Sequence, residues 1–430
     1  MEKAIVIALL LAVASCRTLV ILENVLTKES HSSFLADLGT KDADIVYKYA
    51  TDSSLTIKKY GESLYNNIVI LAPSVASFGN GVAANDFLTF LDDGGNIVMS
   101  ASSDIGDPIK EIAAEVGIEI DDEGTSVIDH MNYDVSDVGD HDLIVADSFI
   151  STSVIVGESP KPVLFKGVGM AADSDNLLVI DILRASPTAY SHAANQDILE
   201  YPLAIGSSLL LVAGMQARNN ARIVIFGSHD MLSDKFYNAD VKAQGAEGGV
   251  EAAGNQEFAS NVVDWALRRN GDLRFSNVKH NKIGEAPSDA AYRITDEVEY
   301  SILIEEMRNG NWEAFKGSDV QLDFQRIDPF VRTFLVPDAE GVFKVEFKVP
   351  DVYGVYQFKV DYDRIGFTHL YSTTQVSVRP FHHTEYERFI PSAYPYYASA
   401  FSMMGGLFIF SFVFLYHKDA PKADAIKKTE

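Results

Sequence analysis

Cysteine is almost absent: Cys16 is the only one among 430 residues. So few thiols exclude an internal disulfide, a cysteine-based zinc site and an iron–sulfur cluster. Basic residues are scarce too, with 35 Lys plus Arg against 61 Asp plus Glu and a formal net charge of −26. Nucleic-acid affinity comes mostly from neutralising phosphates with basic side chains, which argues for no nucleic-acid partner. No Asn-x-Ser/Thr triplet occurs, so no N-linked glycan is expected. A Walker A sequence, an internal repeat and a low-complexity tract are also missing. The chain is 47% hydrophobic and 22% charged, an ordinary globular balance that argues against a disordered or collagen-like chain. Its length suits two or three domains.

The two ends differ from the rest. Lys3 precedes an unbroken apolar run over residues 4–14, too short to cross a bilayer core but suited to a signal peptide. Ala12 and Ala14 stand at an A-x-A spacing, and residues 1–16 are expected to be removed. A buried first strand or helix is the alternative. Between Arg388 and Lys418 there is no Asp, Glu, Lys or Arg. Residues 397–416 are dominated by Phe, Leu, Ile, Val, Met and Gly, and twenty helical residues span about 30 Å, one bilayer core. Tyr394, Tyr396 and Tyr397 at one end and Tyr416 at the other suit an interfacial aromatic belt. We therefore expect a transmembrane helix at 396–416, the preceding bulk in a lumen and a cytosolic tail over 417–430. In that tail Lys427 and Lys428 have the end-spacing of a dilysine retrieval signal for the endoplasmic reticulum, an address read by a receptor; a solvated lysine pair is the alternative. Within the span, Ala398, Ser402 and Gly406 recur every four residues and share one helix face. Small residues so placed let another helix approach closely, although chance gives the same pattern.

Between the ends the chain reads as α/β followed by all-β. Short apolar runs at 18–22, 45–49, 68–71 and 97–101 alternate with helical patterns, the clearest at 81–92. This pattern implies a parallel, doubly wound sheet covered on both faces. Asp92-Asp93-Gly94-Gly95 reads as a helix stop. Further strands are expected at 177–183 and 223–226. A helix is expected at 255–270, with Asn255 as its cap and Phe258, Val262, Trp265 and Ala266 as its apolar stripe. Residues 17–272 thus form an α/β region of one domain or two. Beyond it the hydrophobic period falls to two, as in Val298, Tyr300, Ile302 and Ile304 or Tyr356, Phe358, Val360 and Tyr362. Strict alternation predicts an antiparallel β-sandwich over 273–380, followed by an aromatic, proline-bearing connector over 381–395.

Residues with the chemistry of a site are few. Gly227-Ser228-His229-Asp230 follows a strand and places three triad-type side chains in succession, but a triad needs them to converge from different elements. A strand-end turn is the better reading. Asp-x-Asp recurs at Asp42/Asp44, Asp140/Asp142, Asp173/Asp175 and Asp361/Asp363. Such pairs can hold a divalent cation, yet 61 acidic residues make the pattern expected by chance. His382-His383 lacks a third ligand at metal spacing, and Gly167-x-Gly169 is only a fragment of a dinucleotide fingerprint. No catalytic, cofactor-binding or metal-binding residue is therefore assigned.

Five stretches carry a resemblance that covers the chain: RTLVILEN (17–24), NNIVILAPS (66–74), FLDDGGNIVMSAS (90–102), ARIVIFGSHDMLSDKF (221–236) and YERFIPSAYPYYASAFSMMGG (386–406). As a set they resemble the family of 48-kilodalton subunits of oligosaccharyltransferase. That endoplasmic-reticulum complex transfers a preassembled glycan from dolichyl diphosphate to asparagine. The α/β part is also similar to glutamine-amidotransferase-like folds, whose nucleophilic cysteine the mature chain cannot supply. The resemblance implies a non-catalytic, single-pass type I subunit of the endoplasmic-reticulum membrane, without cofactor. It implies a hetero-oligomer with a multi-span catalytic subunit, small membrane subunits and ribophorin-type subunits. A stand-alone luminal glycan-processing enzyme and a cycling cargo receptor are the rival classes.

Overall fold

The structure, a computed structural model, describes residues 17–173, 175–193, 196, 201–242, 251–284, 291–388 and 390–419. The expected signal segment and the Lys427–Lys428 pair lie outside the described residues.

A ten-stranded mixed sheet organises the first half. Its parallel part contains β1 (Arg17–Leu22), β2 (Asp44–Tyr49), β3 (Asn67–Leu71) and β4 (Asn96–Ser100). The sheet continues through β5 (Val179–Arg184), β6 (Leu210–Gln216) and β7 (Arg222–Phe226). The order along it is β5-β6-β7-β4-β3-β1-β2. Strands β2, β1, β3, β4 and β7 run parallel, whereas β6 and β5 are antiparallel to their neighbours. An all-parallel sheet is therefore corrected to a mixed one. Buried apolar runs do not encode direction, because a strand covered on both faces looks the same either way round.

Both faces of the sheet are covered. Val20, Leu22, Val69, Leu71 and Val98 point into one cluster, together with Phe258, Val262 and Trp265. Leu19, Ile21, Ile68, Ile70 and Ile97 point into the other, with Phe87, Phe90 and Ile109. Alternation along a strand places successive side chains on opposite faces, so each strand serves both cores. The longer helices are α1 (Ser32–Lys41), α2 (Ala84–Asp92), α3 (Asp107–Glu115) and α4 (Asn255–Ala266). No helix joins β2 to β3; that connection carries the small hairpin Lys58–Lys59/Glu62–Ser63. After α2, Gly94 adopts φ +94° and its amide donates to the Leu91 carbonyl at 3.0 Å, the expected helix stop. A Cβ on Gly95 would collide with the Phe90 ring.

Helix α4 starts where the spacing places it, but Asn255 does not cap it. Gly254 occupies the cap position. The fully buried Asn255 side chain instead accepts from the Leu164 amide and donates to the Leu164 carbonyl, both at 2.9 Å. It thereby satisfies a strand edge ninety-one residues away. The helix also ends four residues early. Arg268 turns to φ +58° and pairs with Asp272 at 2.8 and 2.9 Å, and Arg269 pairs with Asp264 and Asp42.

Two five-stranded sheets follow. One contains β8 (Leu273–Lys282), and the other opens with β9 (Ala291–Arg293). Next come β10 (Glu297–Arg308), β11 (Gln321–Gln325) and β12 (Pro329–Phe334). The last three are β13 (Val342–Lys348), β14 (Gly354–Tyr362) and β15 (Leu370–Arg379). Strands β8, β10 and β13 belong to one sheet and β9, β15, β14, β11 and β12 to the other. Pairing is antiparallel except between β9 and β15. The inward residues are those the alternation picks out: Tyr300 and Ile302 on one sheet meet Phe324, Tyr356 and Phe358 on the other in a single cluster. The Phe324 and Tyr356 rings stack at 4.6 Å. The last helix among the described residues is α5 (Tyr394–Tyr416), 23 residues that present no buried side chain.

Candidate functional site

The parallel strands β1, β3, β4 and β7 end side by side, and β1 lies between β2 and β3, so the chain reverses direction across the sheet at β1/β3. In open α/β sheets, ligand crevices form outside the carboxyl ends of strands at such a switch. The polar residues gathered there are Glu23, Ser74, Ser100, His31 and His229. Ser74 donates to Glu23 at 2.8 Å. Ser100 Oγ and His229 Nδ1 lie 2.9 Å apart, and the His229 and His31 rings approach to 4.2 Å. Buried His31 is held by Ser30 Oγ at 2.9 Å and the Thr27 carbonyl at 3.1 Å on Nδ1, and by the His229 carbonyl at 3.2 Å on Nε2.

This arrangement separates the members of the Gly227–Asp230 run. Ser228 is fully buried, donates to the Lys166 carbonyl at 2.5 Å and accepts from the Met231 amide at 3.1 Å. Both bonds commit its hydroxyl to fixing the turn. Burial, reinforced by His31, pulls the His229 pKa down to about 3. A general base works best with a pKa near the operating pH, so His229 is a poor proton acceptor at neutrality. Gly167 has a packing role beside the same turn: a Cβ there would collide with the Gly227 carbonyl oxygen. The amino end of α1 is also taken, because Asp234 accepts from the Ser32 and Ser33 amides at 3.2 and 2.8 Å. Burial would raise that carboxyl, yet the Ser32 and Ser33 donors outweigh it and hold the pKa below the usual range.

The acidic pairs are distributed rather than assembled. Asp42 accepts from Thr18 at 2.6 Å and pairs with Arg269 at 2.6 Å, whereas Asp44 pairs with Arg17. Asp142 binds Lys166, the Asp173 carboxylate accepts from the Asp175 amide, and Asp361 binds His369 and Lys359. His382 donates its amide to Glu385. Among the described residues, no group of three or more His, Cys, Asp or Glu side chains is placed to hold a metal ion.

A junction that sequence reasoning did not single out joins the two regions through Arg222, the first residue of β7. Its side chain is fully buried. The guanidinium donates to the carbonyls of Trp265 at 2.7 Å, Asn270 at 2.8 Å and Gly271 at 3.0 Å, and Nε donates to Gln216 at 3.1 Å. It also lies 4.8 Å from the Trp265 ring centre. Burial lowers its pKa to about 9, which leaves it cationic at neutral pH against the negative end of α4. Around it the Trp265 indole donates to the Gly366 carbonyl at 2.9 Å, Gln216 to Phe367 at 2.9 Å, and the Thr368 amide to Gly271 at 3.0 Å. Gly271 has φ +71°, and a Cβ there would collide with the Gly366 oxygen. Gly271→Ala should therefore lower the thermal midpoint by several degrees, as a cost of about 1–3 kcal/mol for a non-glycine residue in this conformation implies; an unchanged midpoint in a melting scan would refute the close packing. The available signal was an arginine opening the otherwise apolar strand RIVIF.

The apolar helix at the far end is the one candidate span among the described residues, Pro391–Tyr416, with mean hydropathy 1.9. Ala398, Ser402 and Gly406 are exposed along it. The Ser402 hydroxyl donates to the Ser399 carbonyl at 2.9 Å.

Comparison with known proteins adds the family. Residues 10–269 match the profile "OST48, N-terminal domain" and residues 280–418 match "OST48 middle domain". A Danio rerio protein named dolichyl-diphosphooligosaccharide–protein glycosyltransferase 48 kDa subunit is 52% identical over 412 residues, 95% of this chain and 93% of that protein. Proteins of the same name are 50% identical in Drosophila melanogaster, over 100% of this chain and 99% of that protein, and 48% identical in Caenorhabditis elegans, over 94% and 92%. Among solved structures, the carbohydrate deacetylase Agd3 is 12% identical with a TM-score of 0.32 over 65% of this chain and 34% of that one, too low to carry fold or function across. With both of its regions matched and relatives about half identical from end to end, the chain belongs to the OST48 family.

Proposed function

We propose that this chain is a non-catalytic subunit of the oligosaccharyltransferase complex of the endoplasmic-reticulum membrane. It supports en bloc transfer of the dolichyl-diphosphate-linked glycan to Asn of Asn-x-Ser/Thr through assembly and stability of the complex. The observation that carries this reading is the end-to-end likeness to relatives named as the 48 kDa subunit of that glycosyltransferase. A low-pKa His229 and a buried, turn-fixing Ser228 support an architectural role over chemistry. In this reading the chain is a type I membrane protein. Residues 17–272 form a doubly wound, amidotransferase-like luminal region, 273–380 a luminal β-sandwich, 381–395 the connector and 417–430 a cytosolic tail whose Lys427 and Lys428 act as the retrieval pair. Its partners are a multi-span catalytic subunit, small membrane subunits and ribophorin-type subunits. Purification of the tagged chain in mild detergent should recover those companions together with glycan transfer to an Asn-x-Thr peptide. A chain that purifies alone would refute the subunit reading.

The face bearing Ala398, Ser402 and Gly406 is the proposed contact with partner helices. In lipid, association depends on close van der Waals packing, and bulky side chains would hold a neighbour away. Ser402→Leu combined with Gly406→Leu should leave membrane insertion intact and reduce co-purification of the membrane subunits. Recovery equal to that of the unmodified chain would remove this face from the interface.

A further inference from the structure

The β region has two ends, fixed by its strand registers. At one, Gly366, Thr368 and Met307 meet the α/β region. At the other, β15 ends at Arg379 beside Arg293, β14 begins at Gly354 opposite Val378, and β11 ends at Gln325 opposite Gln357. The loops closing this second end, 326–328 and 349–353, therefore lie where the chain leaves for α5. The connector is clasped to the same end. Arg379 makes a two-pronged pair with Glu385 at 2.9 and 3.0 Å, Arg293 reaches that carboxylate at 3.6 Å, and the Arg293 guanidinium lies 5.2 Å from the Phe381 ring centre. Tyr394 follows Glu385 by only nine positions, a reach of at most about 30 Å even when fully extended.

The tip beside this clasp mixes apolar, basic and acidic side chains, with Asp328 and Asp351 exposed on its two loops. Ile327 is 86% exposed, Tyr353 63% and Phe330 44%. Arg326 joins the two loops: its guanidinium lies 5.8 Å from the Phe330 ring centre and donates to the Tyr353 carbonyl at 3.4 Å. Single exposed apolar residues need no explanation, but here an aliphatic side chain, two aromatic ones and an arginine share one tip, with two aspartates beside them, next to a membrane helix. Such side chains suit the headgroup layer, where an apolar body meets acyl chains while a polar end stays hydrated. We propose that the tip formed by Arg326, Ile327, Phe330 and Tyr353 rests in the headgroup layer of the bilayer that α5 crosses. The β region then stands on the membrane instead of hanging from a free tether. The inference depends on the membrane reading of α5.

The test uses the full chain with Cys16→Ser, reconstituted in phosphatidylcholine vesicles. It carries one introduced cysteine at a time, Ile327→Cys, Tyr353→Cys, Ile365→Cys or Leu407→Cys, labelled with an environment-sensitive fluorophore. Ile365, 60% exposed, marks the opposite end of β14, and Leu407 marks the span. Lipids spin-labelled near the headgroup should quench probes at 327 and 353 at least about threefold more than the probe at 365, as insertion into the interface requires. If 407 is quenched by deep spin labels while 327 and 353 behave like 365, the tip inference is overturned and the span stands. If 407 is not quenched, the membrane reading fails, and this inference fails with it. Shielding of 327 and 353 that arises only in the assembled complex, without lipid quenching, would also overturn it by assigning the tip to a protein neighbour.

Discussion

Arg222→Ala is expected to destabilise the protein by about 3–5 kcal/mol, because several buried acceptors lose their donor at once and each buried group left unsatisfied costs about 1–3 kcal/mol. The guanidinium supplies donors to the Trp265, Asn270 and Gly271 carbonyls and to Gln216. Deleting it leaves those acceptors buried with fewer partners, and an unmade buried bond costs more than a made one contributes. The loss also removes the contact with the Trp265 ring. Because the acceptors sit at the end of α4 and in the turn that leads into β8, and the guanidinium also reaches the Gly366 carbonyl of the β region at 3.5 Å, the damage falls on the junction. Urea denaturation should show the lower stability, and limited proteolysis should cut near 267–272 before either region is degraded. Arg222→Lys should recover part of the loss, since one ammonium cannot reproduce the planar fork. A change below about 1 kcal/mol in the alanine variant, the level of an ordinary surface substitution, would contradict the role given to Arg222.

Acid should weaken the fold through His229 before it reaches the aspartates. The folded-state pKa of about 3 lies below the ordinary value of about 6.5. Above the unfolded value both states are neutral at this site, and the stabilisation is fully present. As pH falls from about 6.5 toward 3, the unfolded chain binds a proton that the folded chain refuses, so stability is lost. Each pH step of one between those two values removes about 1.4 kcal/mol; discounted for the partial exposure of the ring, the loss is roughly 2 kcal/mol by pH 4. Asp129, Asp137 and Asp234 act lower on the scale. Burial opposes their ionisation, but hydrogen bonds from Ser186, His141 and Ser32, among others, outweigh it and hold all three below the usual carboxylate range. Their contribution is present above about pH 4 and is lost only beneath it. Urea midpoints measured from pH 7 to 4 should fall more steeply for the natural chain than for His229→Gln, which has no proton to bind. Parallel curves would show that His229 is not responsible.

What was legible in the sequence was what depends on neighbours along the chain. The alternation of Val298, Tyr300, Ile302 and Ile304 placed every one of them in the core, because a strand's two faces are set by a period of two. The apolar runs in the α/β part became strands for the same local reason, and Gly94 ended its helix as its position implied. Features set by distant parts of the chain were not legible. The antiparallel pairing of β6 with β5 and β7 leaves no trace in a run buried on both faces. Asn255 has the chemistry of a cap, yet its amide is committed to Leu164. The cap of α1 comes from Asp234, about two hundred residues away. Arg222 gathers carbonyl acceptors separated from it by more than forty residues, and no local pattern distinguishes such an arginine from one at a strand end in solvent. The candidate site divided along the same line: Ser228 and His229 were visible as residues, but only the fold shows that they are committed to different partners, Lys166 and Met231 for one and Ser100 for the other.

The most direct test of an architectural role is glycan transfer per assembled complex when the strand-end cluster is disarmed. Cells depleted of the natural chain would be supplied with the Ser100→Ala, His229→Gln variant. Transfer to an Asn-x-Thr peptide would then be measured on purified complex, normalised to the amount of complex recovered. The account predicts unchanged activity per complex, even where recovery is lower. A loss of about a hundredfold or more in fully assembled complex, the scale on which a lost acid–base group is felt, would place chemistry on this chain and contradict the account.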